Sequence, residues 1–331
     1  MQHEITLFDD EVANLVKKHL TRPGHQGYIK LDGITLPGQF RKFVNTIDNF
    51  EVRDDDIWVC TFPRTGTTWT QEMVWCIAND SNFERAKVLL NDRFPYLEIS
   101  AVIGAPKPLD HGPISDIKVP EHVIDSIGYC QKLPSPRFIK THLPFSLLPR
   151  QLKRGEKNAK IVYVSRNPKD TCISYFHHAK VSEGFKGSFE DWCDLFIKDA
   201  VMYAPFWKHV LGFWKQRIND NFLFLKYEDM KRDLPSVIKR TAKFLGKNLT
   251  TDQESVLIQH LSFDSMKVNP AVNNEEVIAV MQKLNPSEKK GEFIRRGTTE
   301  QWKTEMTPEI VQQFDDWTRE NLRGTYYSTS E

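Results

Sequence analysis

Residues 61–69 read Thr61-Phe62-Pro63-Arg64-Thr65-Gly66-Thr67-Thr68-Trp69, and they join an apolar run, Ile57 to Thr61, to a helix-like run, Gln71 to Ala78. The apolar run is short and rich in β-formers, so the segment reads as a buried strand, a loop and a helix. Such a loop is suited to holding an anion. Gly66 lets the backbone approach a ligand, and successive N–H groups at the helix start lie at the positive end of the helix dipole. Thr65, Thr67 and Thr68 bring hydroxyl donors, and Arg64 brings a cation. A nucleoside triphosphatase loop has a second glycine and closes on Gly-Lys-Ser/Thr, with the hydroxyl on magnesium. Here one glycine stands alone and no Gly-Lys-Ser follows. The loop is therefore P-loop-like but built for an anion without a metal.

Outward from this segment, Ile161 to Ser165 and Phe222 to Leu225 read as two more buried strands, with helix-like stretches between and after them. Strand alternating with helix predicts an α/β fold with a central parallel sheet flanked by helices. Asn167-Pro168 supplies a cap and a first-turn proline for a helix over Lys169 to Val181. Ser188-Phe189-Glu190-Asp191 matches a capping box ahead of an aromatic-rich run to about Arg217. The run after Pro235 ends at Gly246, a good left-handed terminator. The stretch from Ser265 to Thr299 is charged and weakly periodic, and reads as a long functional loop with some helix. No linker, repeat or low-complexity segment divides residues 1–331, so a single domain is expected.

Composition narrows the function. With 45 basic and 44 acidic residues the net charge is +1, which offers no electrostatic footprint for nucleic acid or an anionic membrane. The five cysteines include no Cys-x-x-Cys pair, pointing to reduced thiols and a cytoplasmic location rather than a disulfide framework or a zinc site. The N-terminus is acidic and lacks the basic and apolar regions of a signal peptide. No apolar run approaches the roughly 18 residues of a membrane span.

Beyond the loop, two more pairs carry chemistry. Arg166 lies just past a strand, and Ser174 falls about two turns into the next helix. Lys140 and His142 follow a strand-like run, Arg137 to Ile139, and their spacing in extended chain puts both side chains on one face. An imidazole titrates near neutrality and suits a general base. His177-His178 diverge on a helix and have no partner at ligand spacing, so no metal is expected there.

Pro63-Arg64-Thr65-Gly66-Thr67-Thr68-Trp69 resembles the 5′-phosphosulfate loop of the cytosolic sulfotransferases, whose common form is Pro-Lys-Ser-Gly-Thr-Thr-Trp. The family's other motifs recur in order: Lys140-Thr141-His142-Leu143-Pro144; Tyr163 to Asp170 with Ser174; Tyr227-Glu228-Asp229-Met230; and Arg295-Arg296-Gly297 with Trp302-Lys303. The likeness covers roughly residues 40 to 305, and the run Thr70 to Trp75 looks like arthropod members.

That resemblance implies a sulfuryl transfer from 3′-phosphoadenosine 5′-phosphosulfate (PAPS) to a hydroxyl, or an amine, of a small and largely apolar acceptor such as a phenol, steroid or alcohol. The product would be adenosine 3′,5′-bisphosphate, and no metal is implied. Carried over by motif, Arg64, Thr65, Gly66, Thr67, Thr68 and Trp69 would hold the phosphosulfate. Arg166, Ser174, Arg295, Arg296 and Gly297 would hold the 3′-phosphate. Trp69 and Phe263 would sandwich the adenine with Tyr227 at its edge. Leu261 stands where the family often has a threonine, and Ser262 would supply the hydroxyl to the base in its place. His142 would be the general base, with Lys140 and Arg64 steadying charge. Tyr96, in Pro95-Tyr96-Leu97-Glu98, would line the acceptor cavity with Lys140 and His142, and Tyr28 would belong to a looser acceptor segment. Arg64 departs from the usual lysine and cannot act as a proton donor at ordinary pH. Pro308 and Gln312 replace Val and Glu of the family's C-terminal dimer contact, so a monomer, or a dimer through another surface, is expected. Three other readings remain open. One is a sulfotransferase-fold dehydratase that eliminates a transient sulfate ester. The others are a nucleotide-dependent small-molecule kinase and a non-catalytic carrier.

Overall fold

In the computed structural model, which describes residues 3–20, 27–103, 119–275, 277–278 and 292–328, four strands form one parallel sheet. They are β1 (Ile57–Thr61), β2 (Phe138–Thr141), β3 (Lys160–Ser165) and β4 (Phe222–Lys226), in the order β2-β1-β3-β4. Side chains alternate between faces along a strand. Accordingly Trp58, Cys60, Ile161 and Tyr163 enter one apolar cluster, while Ile57, Val59, Val162 and Val164 enter another on the opposite face. Burial on both faces explains why these strands read as continuous apolar runs.

The strand order reverses direction beside β1, and in open sheets of this kind ligands bind at the carboxyl ends of the strands at such a switch point. The segments leaving β1, β2 and β3 carry residues 62–66, His142 and Arg166 to that end. Helix α1 (Thr67–Ala78) follows the first loop. Helix α2 (Pro168–Ser182) starts on an Asn167 cap with Pro168 in its first turn, as the sequence predicts.

The aromatic-rich run after the Ser188–Asp191 capping box is two helices, α3 (Phe189–Ile197) and α4 (Phe206–Trp214). The break falls at Ala204-Pro205, a cis peptide bond, where proline removes the N–H a continuous helix would use. Helix α5 (Leu234–Leu245) stops at a left-handed Gly246. Helices α6 (Thr251–His260) and α7 (Phe263–Val268) follow, and α8 (Pro308–Leu322) lies near the C-terminus. The loop expected over 265–299 begins inside α7, and residues 279–291 of it lie outside the described residues.

A second sheet, antiparallel, joins Ile5–Thr6, Tyr28–Leu31 and Ile34–Pro37. Its hairpin signal is present in the sequence as Asp32-Gly33, which take φ of 51° and 74°, the left-handed pair of a type I′ turn.

The starts of β1 and β2 are tied by a fully buried pair: Arg137 Nε and Nη2 donate to Asp56 Oδ1 and Oδ2 at 2.7 and 2.6 Å. Arg137→Met strands that carboxylate without its partner. The expected cost is about 3–5 kcal/mol, measured as a lower urea midpoint at unchanged m-value; a loss under about 1 kcal/mol, the scale of an exposed pair, would contradict it.

Candidate active site

Two residues of the loop after β1 are left-handed, Arg64 at φ 69° and Gly66 at φ 108°. Gly66 is the N-cap of α1 and offers no side-chain cap, so the first N–H groups of the helix face outward for a ligand. A Cβ on Gly66 would lie 2.8 Å from the Tyr227 ring, so glycine is demanded by the protein's own packing as well as by φ. The threonines divide their tasks. Thr65 is fully buried and its hydroxyl faces the carbonyls of Phe62 and Val164 at 2.8 and 3.0 Å, so it braces the loop instead of facing a ligand. The Thr67 hydroxyl meets that of Thr61 at 2.8 Å, and Thr68 is half-buried in the helix's first turn.

Arg166 is buried beside this loop. Its two terminal nitrogens donate to the carbonyls of Arg64 and Thr298, its guanidinium lies 4.5 Å over the Tyr227 ring, and its Nε is buried with no hydrogen-bond partner among the described residues. An unmatched buried N–H is costly, and a bound anion would satisfy it. Arg64 donates to Ser174 Oγ at 3.3 Å and to the Phe293 carbonyl at 2.9 Å. Burial, with Arg166 and Arg295 adding repulsion, lowers its guanidinium to about 10. Arg295 donates to Gln301 at 2.6 Å, and Arg296 is more than half exposed and pairs with Glu305 at 2.5 Å. Asp170, at the start of α2, accepts from the N–H groups of Glu300 and Trp302. The segment carrying the arginine pair is thus held against the loop after β1 and the start of α2.

The aromatic groups expected around a base come to the same side. Trp69 stands edge-on to Tyr227, with centroids 5.6 Å apart, and donates its indole N–H to the Leu261 carbonyl at 2.9 Å. Phe263 packs against Gly297, where a Cβ would fall 2.3 Å from its ring. Leu261 is fully buried in the core. The Ser262 hydroxyl bonds Ser265 as the cap of α7.

On the other side of the loop, Lys140 and His142 sit together at the end of β2. The His142 Nδ1 lies 2.8 Å from the Thr61 carbonyl. A carbonyl can only accept, so Nδ1 carries the proton and Nε2 keeps its lone pair. Burial, then the Lys140 charge, holds His142 well below its ordinary value, so the ring is neutral at pH 7. Lys140 has its ammonium 4.2 Å over the Tyr96 ring, and burial lowers it to about 8 against the pull of Glu98. Tyr96 stands edge-on to His142 at 5.1 Å. Tyr28 lies farther along the fold, donating to Glu183.

Three residues escape sequence reasoning. Glu98, fully buried, accepts from the His142 N–H at 2.7 Å and from Thr141 Oγ1 at 2.8 Å, and burial raises it to about 7. Tyr203 hydrogen-bonds the Tyr96 hydroxyl and reaches Glu98 at 3.3 Å. His209 Nε2 lies 2.9 Å from the His142 carbonyl. Of these only Glu98 carries a signal, its place beside Tyr96; Tyr203 and His209 come from the α3–α4 region, more than 60 positions from His142.

The switch-point loop, the buried arginine with its unmatched nitrogen and the lysine–histidine pair define an anion-handling group-transfer enzyme. The chain matches the sulfotransferase domain family over residues 54–326. The luciferin sulfotransferase of Photinus pyralis is 39% identical over 97% of this chain and 86% of its own length. Sulfotransferase 1E1 of Bos taurus is 32% identical over 92% of this chain and 96% of its own. A retinol dehydratase crystallised with androsterone and the inactive cofactor PAP superposes with a TM-score of 0.88 at 32% identity, covering 100% of this chain and 99% of that one. The chain belongs to the sulfotransferase family and is a PAPS-dependent sulfotransferase.

Gly66→Ala forces an ordinary side chain into the left-handed region at a cost of about 1–3 kcal/mol. Calorimetry with adenosine 3′,5′-bisphosphate is expected to show binding weakened roughly 5- to 150-fold. Unchanged affinity would mean the loop does not approach the nucleotide.

Proposed function

We propose that this sulfotransferase sulfates the hydroxyl of a small, largely apolar acceptor with His142 Nε2 as general base. The observation that supports it most is His142 Nδ1 lying 2.8 Å from the Thr61 carbonyl, a contact that favours the Nδ1–H tautomer and leaves Nε2 unprotonated beside Lys140 and Tyr96. When bound, PAPS supplies a sulfuryl group attached to a phosphate that departs as it is transferred. The chain's own residues do the rest. The first N–H groups of α1, with Thr68 and Arg64, would hold the phosphosulfate oxygens. Arg166, Ser174, Arg295 and Arg296 would hold the 3′-phosphate, and Gly297 would let their segment close. Trp69, Phe263 and Tyr227 would bracket the base. His142 takes the proton from the acceptor oxygen, while the Lys140 ammonium and the Arg64 guanidinium steady charge on the transferring and departing oxygens. Because Arg64, Arg166, Arg295 and Lys140 bring their charges to this site, this reading assigns no metal.

The rings of Tyr96 and Tyr203 flank the imidazole, which favours a phenol, steroid or alcohol. We include in the proposal a single domain over 1–331, supported by two apolar cores on the faces of one sheet. Also included is a cytoplasmic enzyme acting on small molecules rather than on nucleic acid or membrane. Its five cysteines are unbridged and buried, and among the described residues no helix is long and apolar enough to cross a membrane. The usual C-terminal dimer contact is not part of the reading, since Thr307 caps α8 and Pro308 occupies its first turn. The likeness to a retinol dehydratase favours a second reading, in which the sulfate ester is transient and sulfate is then eliminated.

His142→Asn is expected to keep PAPS affinity while single-turnover transfer falls roughly 100- to 10,000-fold; a variant retaining a third or more of the rate would overturn the base assignment. A pH profile tests Lys140. Its depressed value means the ammonium is present below about pH 8 and lost above it. The rate constant kcat/KM reports the free enzyme, so it should decline above about pH 8, and Lys140→Arg should move that decline upward. A profile flat to about pH 9.5, more than a unit past that value, would contradict the charge-stabilising role.

A further inference from the structure

A buried charge cluster lies behind the nucleobase side of the site, among residues given no role above. Glu72, three residues past Trp69 on α1, is fully buried. His260, the last residue of α6, donates from Nε2 to Glu72 Oε1 at 2.7 Å. Arg93 donates to Glu72 Oε2 at 2.5 Å, and the Cys76 thiol points at Oε1 from 3.6 Å. Glu72, Cys76 and His260 bring their ligand atoms within 4.8 Å of one another, a spacing that invites a metal. However, the same carboxylate is already paired with Arg93, whose side chain is itself almost fully buried. The contacts it makes are those of a hydrogen-bonded ion-pair network.

Its location gives it a task. His260 is followed by Leu261, whose carbonyl takes the Trp69 indole N–H, then by Ser262, the cap of α7, and by Phe263. Two hydrogen bonds, from His260 and to Leu261, therefore pin the start of the Ser262–Phe263 segment to the helix that begins at the anion loop. Trp69 and Glu72 are three apart and share a face of α1.

We propose that His260, held by Glu72, is a positioning residue for the nucleobase: it sets the placement of Phe263 relative to Trp69 and so tunes donor affinity without touching the reacting atoms. The proposal rests on the reading that the base lies between Trp69 and Phe263. Removing His260 leaves Glu72 paired with Arg93, so no carboxylate is stranded and the fold is expected to survive.

The test uses the full chain with His260→Ala, His260→Gln and Trp69→Ala, adenosine 3′,5′-bisphosphate as the calorimetric probe, and steady-state kinetics with PAPS. His260→Ala should weaken the bisphosphate and raise KM for PAPS roughly 3- to 30-fold, the range over which changes along a coupling network act. Its kcat at saturating donor should stay within about threefold, as expected when only donor binding is affected. His260→Gln, whose amide can donate to Glu72, should recover most of the affinity. If His260→Ala does not fold, His260→Leu fills the space without a donor and gives the same comparison. Unchanged affinity in His260→Ala alongside weakened affinity in Trp69→Ala overturns the proposal alone; unchanged affinity in both overturns the base-binding reading beneath it. A fall in kcat with KM unchanged also overturns it.

Discussion

The hydrogen bond from His142 to the Thr61 carbonyl is the constraint on which the site depends. It exists because β1 and β2 are parallel neighbours in a register that sets Cys60 opposite Thr141, so the next residue of each strand meets just beyond the ladder. The same Thr61 touches Thr67 through its hydroxyl. One residue therefore joins the general-base candidate to the first turn of the anion-binding helix. Glu98 secures the backbone of His142 from the other side, and His209 lies against its carbonyl. A base held at its amide, its carbonyl and its ring nitrogen has little freedom to wander, and small misplacements of reacting groups are costly in rate.

Charge is distributed to match. Burial, with repulsion from Arg166 and Arg295 added, lowers Arg64, and burial lowers Lys140. Cations gathered in a partly dry site strengthen every interaction with an anion. An anion placed among them would also meet the buried Nε of Arg166, which has no partner among the described residues. A nucleotide that binds the folded chain alone stabilises it, so donor affinity and protein stability are linked.

Much of this is readable in the amino-acid order. The strands of the parallel sheet are continuous apolar runs because both faces are covered, and the helix ends at Asn167, Ser188 and Gly246 obey local capping rules that need no tertiary context. The anion loop is readable for the same reason, since one glycine, its flanking hydroxyls and a following helix are local features. What is hidden depends on distant chain segments. Thr65 looks like a ligand donor by type, yet its hydroxyl turns to the β3 carbonyl of Val164, 99 positions away. That the Ser262 hydroxyl also caps a helix shows only once α7 is seen to begin right after it. Tyr203 resembles any core aromatic, and only the turn before Pro205 brings it to Tyr96. The split between α3 and α4 is within reach of the sequence, because Pro205 lies inside the run that otherwise reads as one helix.

Transfer and elimination part at the point where the sulfuryl group ends. A single turnover of the full chain with PAPS labelled in its sulfate, run against phenols, steroids and alcohols with separation of all labelled species, measures this directly. The expected result is label in a stable sulfate ester, formed one for one with adenosine 3′,5′-bisphosphate. Label appearing as free sulfate together with a dehydrated acceptor would contradict simple transfer and make elimination the enzyme's final step.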